Sequence, residues 1–324
     1  MATLETIAAL RQTLTSESEP LARRYRALFS LKHVASLHPP TDATEPAIDA
    51  IAAALFTSSS ELLKHELAYC LGQSRQKAAV PYLRRVLEDR SEHAMCRHEA
   101  AEALGALGFK ESLDILKEKR DDPTEPVEVR ETCDIAVDRI EWETSGGSSK
   151  EDLKKSDFAS IDPAPPLPKS ATPSIHDLES TLLDTSLPLF QRYRAMFTLR
   201  DLASPPDLPT AVPAIQALAK GFNDPSALFR HEIAFVFGQL AHPAAVPSLT
   251  ATLSNLDEHS MVRHEAAEAL GSLGDVEGVE ETLRRFLNDP EKVVRDSIEV
   301  ALDMAEYEKR GEKEYALIPE TAAA

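Results

Sequence analysis

Four His-Glu dipeptides carry the residue types in this chain best suited to chemistry: His65-Glu66, His98-Glu99, His231-Glu232 and His264-Glu265. Imidazole nitrogen and carboxylate oxygen together are the donor set of many first-row transition-metal sites. The pairs stand at two nested spacings, 33 residues within each half of the chain and 166 residues from one half to the other. Around His98 and His264 the likeness widens. Residues 97–108 and 263–274 differ at one position of twelve, where Ala106 is replaced by Ser272.

Within one helix, side chains at i and i+1 diverge by about 100°, so a single dipeptide cannot complete a metal shell. Residues 33 apart in a helical repeat fall at equivalent places on neighbouring helices, whose axes pack about 8–10 Å apart. Two imidazoles can then reach one ion, and a carboxylate completes the two-His, one-carboxylate facial set that leaves positions open for oxygen and suits non-haem iron. His65, His98 and a Glu from the first half, with His231, His264 and a Glu from the second, would bind two metals if the halves face each other. The plainer reading of any one pair is a partly buried His held by a neighbouring carboxylate. Four copies in register weigh against it, because mere repetition would favour Leu, Ala or Val at inward positions, where an ionisable pair costs desolvation.

The carboxylate itself is left open by spacing. Glu102 and Glu268 lie four residues beyond His98 and His264, on the same helix face, and can serve as ligand or as orienting group as well as Glu99 and Glu265 can. The adjacent Glu occurs in all four pairs, whereas Tyr69 and Phe235 occupy the later offset in the other two. No second His sits at i+4, so the pattern is not that of a zinc protease helix. His93 and His259 read as surface residues, with capping or lining the helix start as the alternative, and Met95 and Met261 read as core filling, with bordering the site as the alternative.

The elements that must position these groups are helices. The chain has 324 residues, 43% of them hydrophobic, with 22 Pro and 11 Gly, and many of the prolines begin or separate Ala- and Leu-rich helical patterns. Helical pairs recur at about 33 residues, with the His-Glu pairs in the second helices of the second and third hairpins; the matching helices of the first and fourth carry Tyr25-Arg26, Tyr193-Arg194, Arg130-Glu131 and Arg295-Asp296. Residues 192–199 repeat 24–31 at six of eight positions. This is the signature of an all-α solenoid in which each hairpin buries its core against its neighbours. The expected architecture is eight HEAT-like hairpins in two symmetric halves of four: 1–142 and 174–310, joined by a flexible Ser-, Gly- and Pro-rich linker at 143–173 and followed by a frayed tail at 311–324.

A formal charge of -19 argues against nucleic acid as a direct ligand and favours a cationic partner. Cys70, Cys96 and Cys133 show no paired spacing and read as buried helix residues. Neither an apolar leader nor a membrane-length apolar run is present, so a soluble cytoplasmic protein is expected.

Two four-repeat HEAT-like halves, each with two His-Glu pairs and one of them in the form Arg-His-Glu-Ala-Ala-Glu-Ala-Leu-Gly, resemble the deoxyhypusine hydroxylases over about residues 20–308. The resemblance implies a monomeric di-iron monooxygenase, Fe2+ in its resting state. Such an enzyme uses O2 to hydroxylate the deoxyhypusine side chain of translation initiation factor 5A, completing hypusine. It assigns one iron to His65, His98 and Glu99 and the other to His231, His264 and Glu265, and gives Glu66 and Glu232 the catalytic task of holding the cationic substrate amine. Competing readings are a di-metal hydrolase on the same scaffold and a HEAT-type scaffold or lyase-like chaperone without metal.

Overall fold

The computed structural model describes residues 3–309; Arg310 and the 311–324 tail lie outside the described residues. Those residues form helices and connecting turns, with no strand among them. They divide into two compact units, one running to Ile140 and the other starting at Glu141. In the first, the pairs are α1 (Leu4–Thr15) with α2 (Leu21–Ala35), α3 (Thr44–Thr57) with α4 (Glu61–Gln73), α5 (Val80–Glu88) with α6 (Ala94–Leu107), and α7 (Leu113–Asp121) with α8 (Val127–Thr144). After a single turn, α9 (Gly147–Lys150), the second has α10 (Ile175–Leu183) with α11 (Leu189–Leu202), α12 (Ala211–Ala219) with α13 (Ala227–Leu240), α14 (Val246–Ser254) with α15 (Ser260–Gly271), and α16 (Val279–Arg284) with α17 (Lys292–Lys309).

Local sequence explains the helix ends that matter for the site. Ser60 and Ser226 cap α4 and α13 by accepting hydrogen bonds from the amides of Leu63 and Phe229. His93 and His259 do the same for α6 and α15, each through Nδ1 to the amide two residues on. These two histidines are thus helix caps. Met95 and Met261 are buried in the core. Gly108 closes α6 in the left-handed region at φ 73°, where a side chain would be strained.

The second helices of successive pairs touch along Gly–Ala contacts. A Cβ placed on Gly72 of α4 would stand 2.7 Å from the Cα of Ala103 in α6, and one on Gly105 of α6 would stand 2.9 Å from the Cβ of Ala136 in α8. The second unit repeats the contact between Gly238 and Ala269 and between Gly271 and Ala301. Each of the four glycines lies seven residues beyond a His of the His-Glu series. Seven residues are close to two helical turns, so glycine and histidine share one face.

The stretch expected as a linker is built differently from its description by composition. α8 takes in its first residues, and 151–169 is fastened along α11 and the end of α13 by polar contacts. The Arg194 guanidinium donates to the carbonyls of Pro165 and Pro166 and pairs with Glu151. The Leu167 amide donates to Thr198 Oγ1 at 2.8 Å, and the buried Arg200 is met by Asp162 and Asp201 and lies over the Phe158 ring. Ala164 is fully buried. A segment with few apolar residues can pack in this way because the helices it crosses supply the donors for its carbonyls and carboxylates.

Gly105→Ala is expected to destabilise the protein by about 1–3 kcal/mol, because the new methyl group overpacks the α6–α8 contact. Urea unfolding of the two proteins measures this, and an unchanged midpoint would show that the helices can part at no cost.

Candidate metal centre

The close approach of α4 and α6 sets the imidazoles of His65 and His98 with ring centroids 5.3 Å apart, and that of α13 and α15 does the same for His231 and His264, also at 5.3 Å. The carboxylate beside the second His joins in both cases. Glu99 Oε2 is 3.2 Å from His65 Nε2, and Glu265 Oε2 is 3.4 Å from His231 Nε2. The acid of each pair therefore reaches back to the histidine of the preceding hairpin. All six side chains are buried, His98 and His264 completely.

In the first unit one ligand atom each from His65, His98 and Glu99 lies within 4.8 Å of the others; in the second, His264, Glu265 and Glu268 form such a group. Donors bound at about 2 Å to one ion stand about 3 Å apart when adjacent, so small side-chain movements would close the His65, His98 and Glu99 set on a metal. The donor chemistry fits as well. Each cluster buries two imidazoles and a carboxylate, an arrangement whose desolvation a cation offsets, and neutral nitrogen with anionic oxygen suits a divalent first-row metal.

The remaining acids divide by position. Glu102 and Glu268 are half-buried; Glu268 Oε1 is 3.9 Å from His264 Nδ1. Glu66 is half-buried and its Oε1 accepts a hydrogen bond from the Cys70 thiol at 3.7 Å, whereas Glu232 is buried and Val236 stands where Cys70 does in the first unit. Burial, followed by the charge of Glu66, pushes the Cys70 thiol well above the ordinary range, and burial raises Cys96 and lifts Cys133 to about 12. All three cysteines are buried thiols outside any disulfide.

A second set of residues holds these helices in rotation, and the His-Glu spacing alone does not reveal it. The residue before each His is basic: Lys64, Arg97, Arg230 and Arg263. Arg97 and Arg263 donate through Nε to the carbonyls of Leu87 and Leu253, at the C-terminal ends of α5 and α14, at 3.1 and 3.0 Å. Arg24, Arg130 and Arg192 make the same bond to Leu14, Arg120 and Leu182. In every case the acceptor lies ten residues earlier, which is the signal that could have found them. A guanidinium there also meets the negative end of the helix dipole. Its other edge reaches the loop ahead of the next second helix: Arg97 pairs with Glu125 at 2.6 Å, and Arg192 and Arg263 pair with Asp224 and Asp289. Lys64 and Arg230 pair with Glu92 and Glu258, both at 2.6 Å.

Stacked helical hairpins carrying two buried clusters of His and carboxylate, whose chemistry is compatible with a bound metal, define a HEAT-repeat protein. The HEAT-repeat family model matches residues 48–133 and 215–303. The chain is 73% identical over 320 residues to the deoxyhypusine hydroxylase of Aspergillus oryzae, covering 98% of this chain and 94% of that one. It is 67% identical over 319 residues to that of Neurospora crassa, covering 98% of each. The structure of human deoxyhypusine hydroxylase in complex with glycerol superposes with a TM-score of 0.82 at 45% identity, covering 94% of this chain and 97% of that one. The chain belongs to the deoxyhypusine hydroxylase family, a family of oxidoreductases. Among the described residues no helix is long and apolar enough to cross a membrane.

The Arg97–Glu125 pair beside His98 sets a pH dependence. The Arg97 guanidinium, hydrogen-bonded to Glu125, holds that carboxyl below the usual range. A carboxyl lowered on folding adds stability above its unfolded pKa and loses it as the pH falls through the folded value. Glu125→Gln is therefore expected to remove part of the loss of stability seen below about pH 4, measured as unfolding midpoints against pH; an identical acid limb in both proteins would overturn this.

Proposed function

We propose that this chain hydroxylates the deoxyhypusine side chain of translation initiation factor 5A, consuming O2 and a reductant, with two irons as its resident metals. The observation that carries the reading is the pair of buried His, His and Glu clusters at equivalent places in the two units, in a chain 73% identical to a curated deoxyhypusine hydroxylase. His65, His98 and Glu99 hold one iron, and His231, His264 and Glu265 hold the other. When bound, the iron pair supplies O2 activation and the electrons for inserting one oxygen atom into a C–H bond, the second oxygen leaving as water.

The protein's own groups do the rest. Deoxyhypusine is a lysine extended by an aminobutyl arm, and its ammonium groups call for anionic partners. Glu66 and Glu232, beside the metal ligands but not needed as ligands, receive them through charge-assisted hydrogen bonds. Holding both the arm and its charge fixes which carbon lies next to the metals, and this positioning is the protein's main contribution to rate. The acidic balance of the chain, -19, favours approach of a cationic substrate surface. We read the catalytic chain as a cytoplasmic monomer whose halves, 1–142 and 174–310, each hold one iron, with 143–173 as the connection.

Purified protein is expected to hold about two irons per chain, as two facial sets require, and to add one oxygen atom to a deoxyhypusine-bearing substrate protein, followed by mass spectrometry. His98→Ala should lose product, and Glu66→Gln should weaken substrate binding more than iron binding. Full turnover by metal-free protein, or stoichiometric zinc with hydrolytic activity, would sink the reading.

A further inference from the structure

The two clusters differ in what stands behind them. In the second unit, the hydroxyl of Ser297 on α17 is fully buried and donates to Glu268 Oε1 at 3.4 Å. That same oxygen is the one 3.9 Å from His264 Nδ1. One carboxylate oxygen thus sits between a buried hydroxyl on α17 and the ring of a fully buried histidine on α15, two helices in contact where Gly271 meets Ala301. In the first unit the corresponding acid, Glu102, is present, but the corresponding α8 residue is Thr132, as the alignment of Arg130-Glu131-Thr132 with Arg295-Asp296-Ser297 places it. Thr132 Oγ1 donates to the Glu128 carbonyl of its own helix at 2.7 Å, the back-bond that Thr favours inside a helix.

We propose that Ser297 and Glu268 form a positioning relay that holds His264 through Nδ1, leaving Nε2 to the metal, and that this ties the second metal to the last helix pair in a way that Thr132 does not tie the first. The inference rests on the metal reading above. A histidine that binds a metal through one nitrogen commonly gives its other N–H to a carboxylate, which fixes the tautomer and ring orientation and strengthens the ligand. The carboxylate is itself kept in place when a buried hydroxyl hydrogen-bonds to it. Ser297 and Glu268 are positioning residues here, acting through His264.

The test is release of Fe2+ from loaded protein to a chelator in excess, followed by absorbance, with thermal unfolding as the check on folding. Glu268→Gln is expected to speed release of one iron about tenfold, the lower end of what loss of such a partner costs in metal affinity, while the other iron leaves at the wild-type rate. Ser297→Ala should shift the same phase in the same direction by less, and Thr132→Ala should shift neither. Equal acceleration of both phases, or none with Glu268→Gln, overturns the relay while leaving the iron reading intact. Wild-type protein that takes up no iron overturns the metal reading and the relay with it, and this is seen before any variant is made.

Discussion

The close approach of consecutive second helices is the constraint on which the rest depends. Imidazoles are short, and at an ordinary helix separation of about 8–10 Å two of them meet over one ion only if their helices touch near the same level. Gly72, Gly105, Gly238 and Gly271 permit that contact by leaving room for the backbone and methyl group of an alanine on the next helix. The result is the same 5.3 Å between ring centroids in both units. A larger residue at these places would open the pair of helices and separate the histidines without touching any of them.

Contact alone leaves a helix free to roll about its axis, and a roll of one residue would exchange His for Glu. The buried guanidiniums remove that freedom. Arg97 and Arg263 sit next to His98 and His264 and are bonded on one edge to the end of the preceding helix and on the other to the loop leading into the next second helix. Charged groups this deep would be costly if unpaired, so these guanidiniums and their acids stand or fall together. Glu125 is held ionised by its arginine, which makes the scaffold itself sensitive to acid.

Repetition did not keep the two units identical. Arg200, buried beneath the 151–169 segment, stands where the first unit has Lys32, whose ammonium lies over the Phe29 and Tyr69 rings at 5.3 and 4.5 Å. Cys70 beneath Glu66 becomes Val236 beneath Glu232, and Thr132 becomes Ser297. These changes surround the repeated His and Glu residues without altering them. The His and Glu residues of the two units are thereby surrounded differently: Cys70 and Thr132 bond along their own helices, whereas Ser297 bonds across to Glu268.

Much of this was legible in the amino-acid order. The repeat of about 33 residues, the helical class, the equivalence of the halves and the four His-Glu pairs follow from spacing, because a solenoid writes its period directly into the chain. His93 and His259 read from the sequence as surface residues, and they are exposed while also capping their helices, since a histidine before a helix can bond to its amides and still face solvent. Composition misdescribed the 151–169 segment, which is poor in apolar residues yet packed, because its partners are donors on helices that lie elsewhere in the sequence. What the sequence by itself determined was which residue types recur and at what period. Only the tertiary structure decided that Glu99 and Glu265 reach back to the preceding histidine, that Ser297 turns to Glu268 while Thr132 turns to its own helix, and which arginine meets which acid, because each depends on distances between helices that a one-dimensional period does not contain.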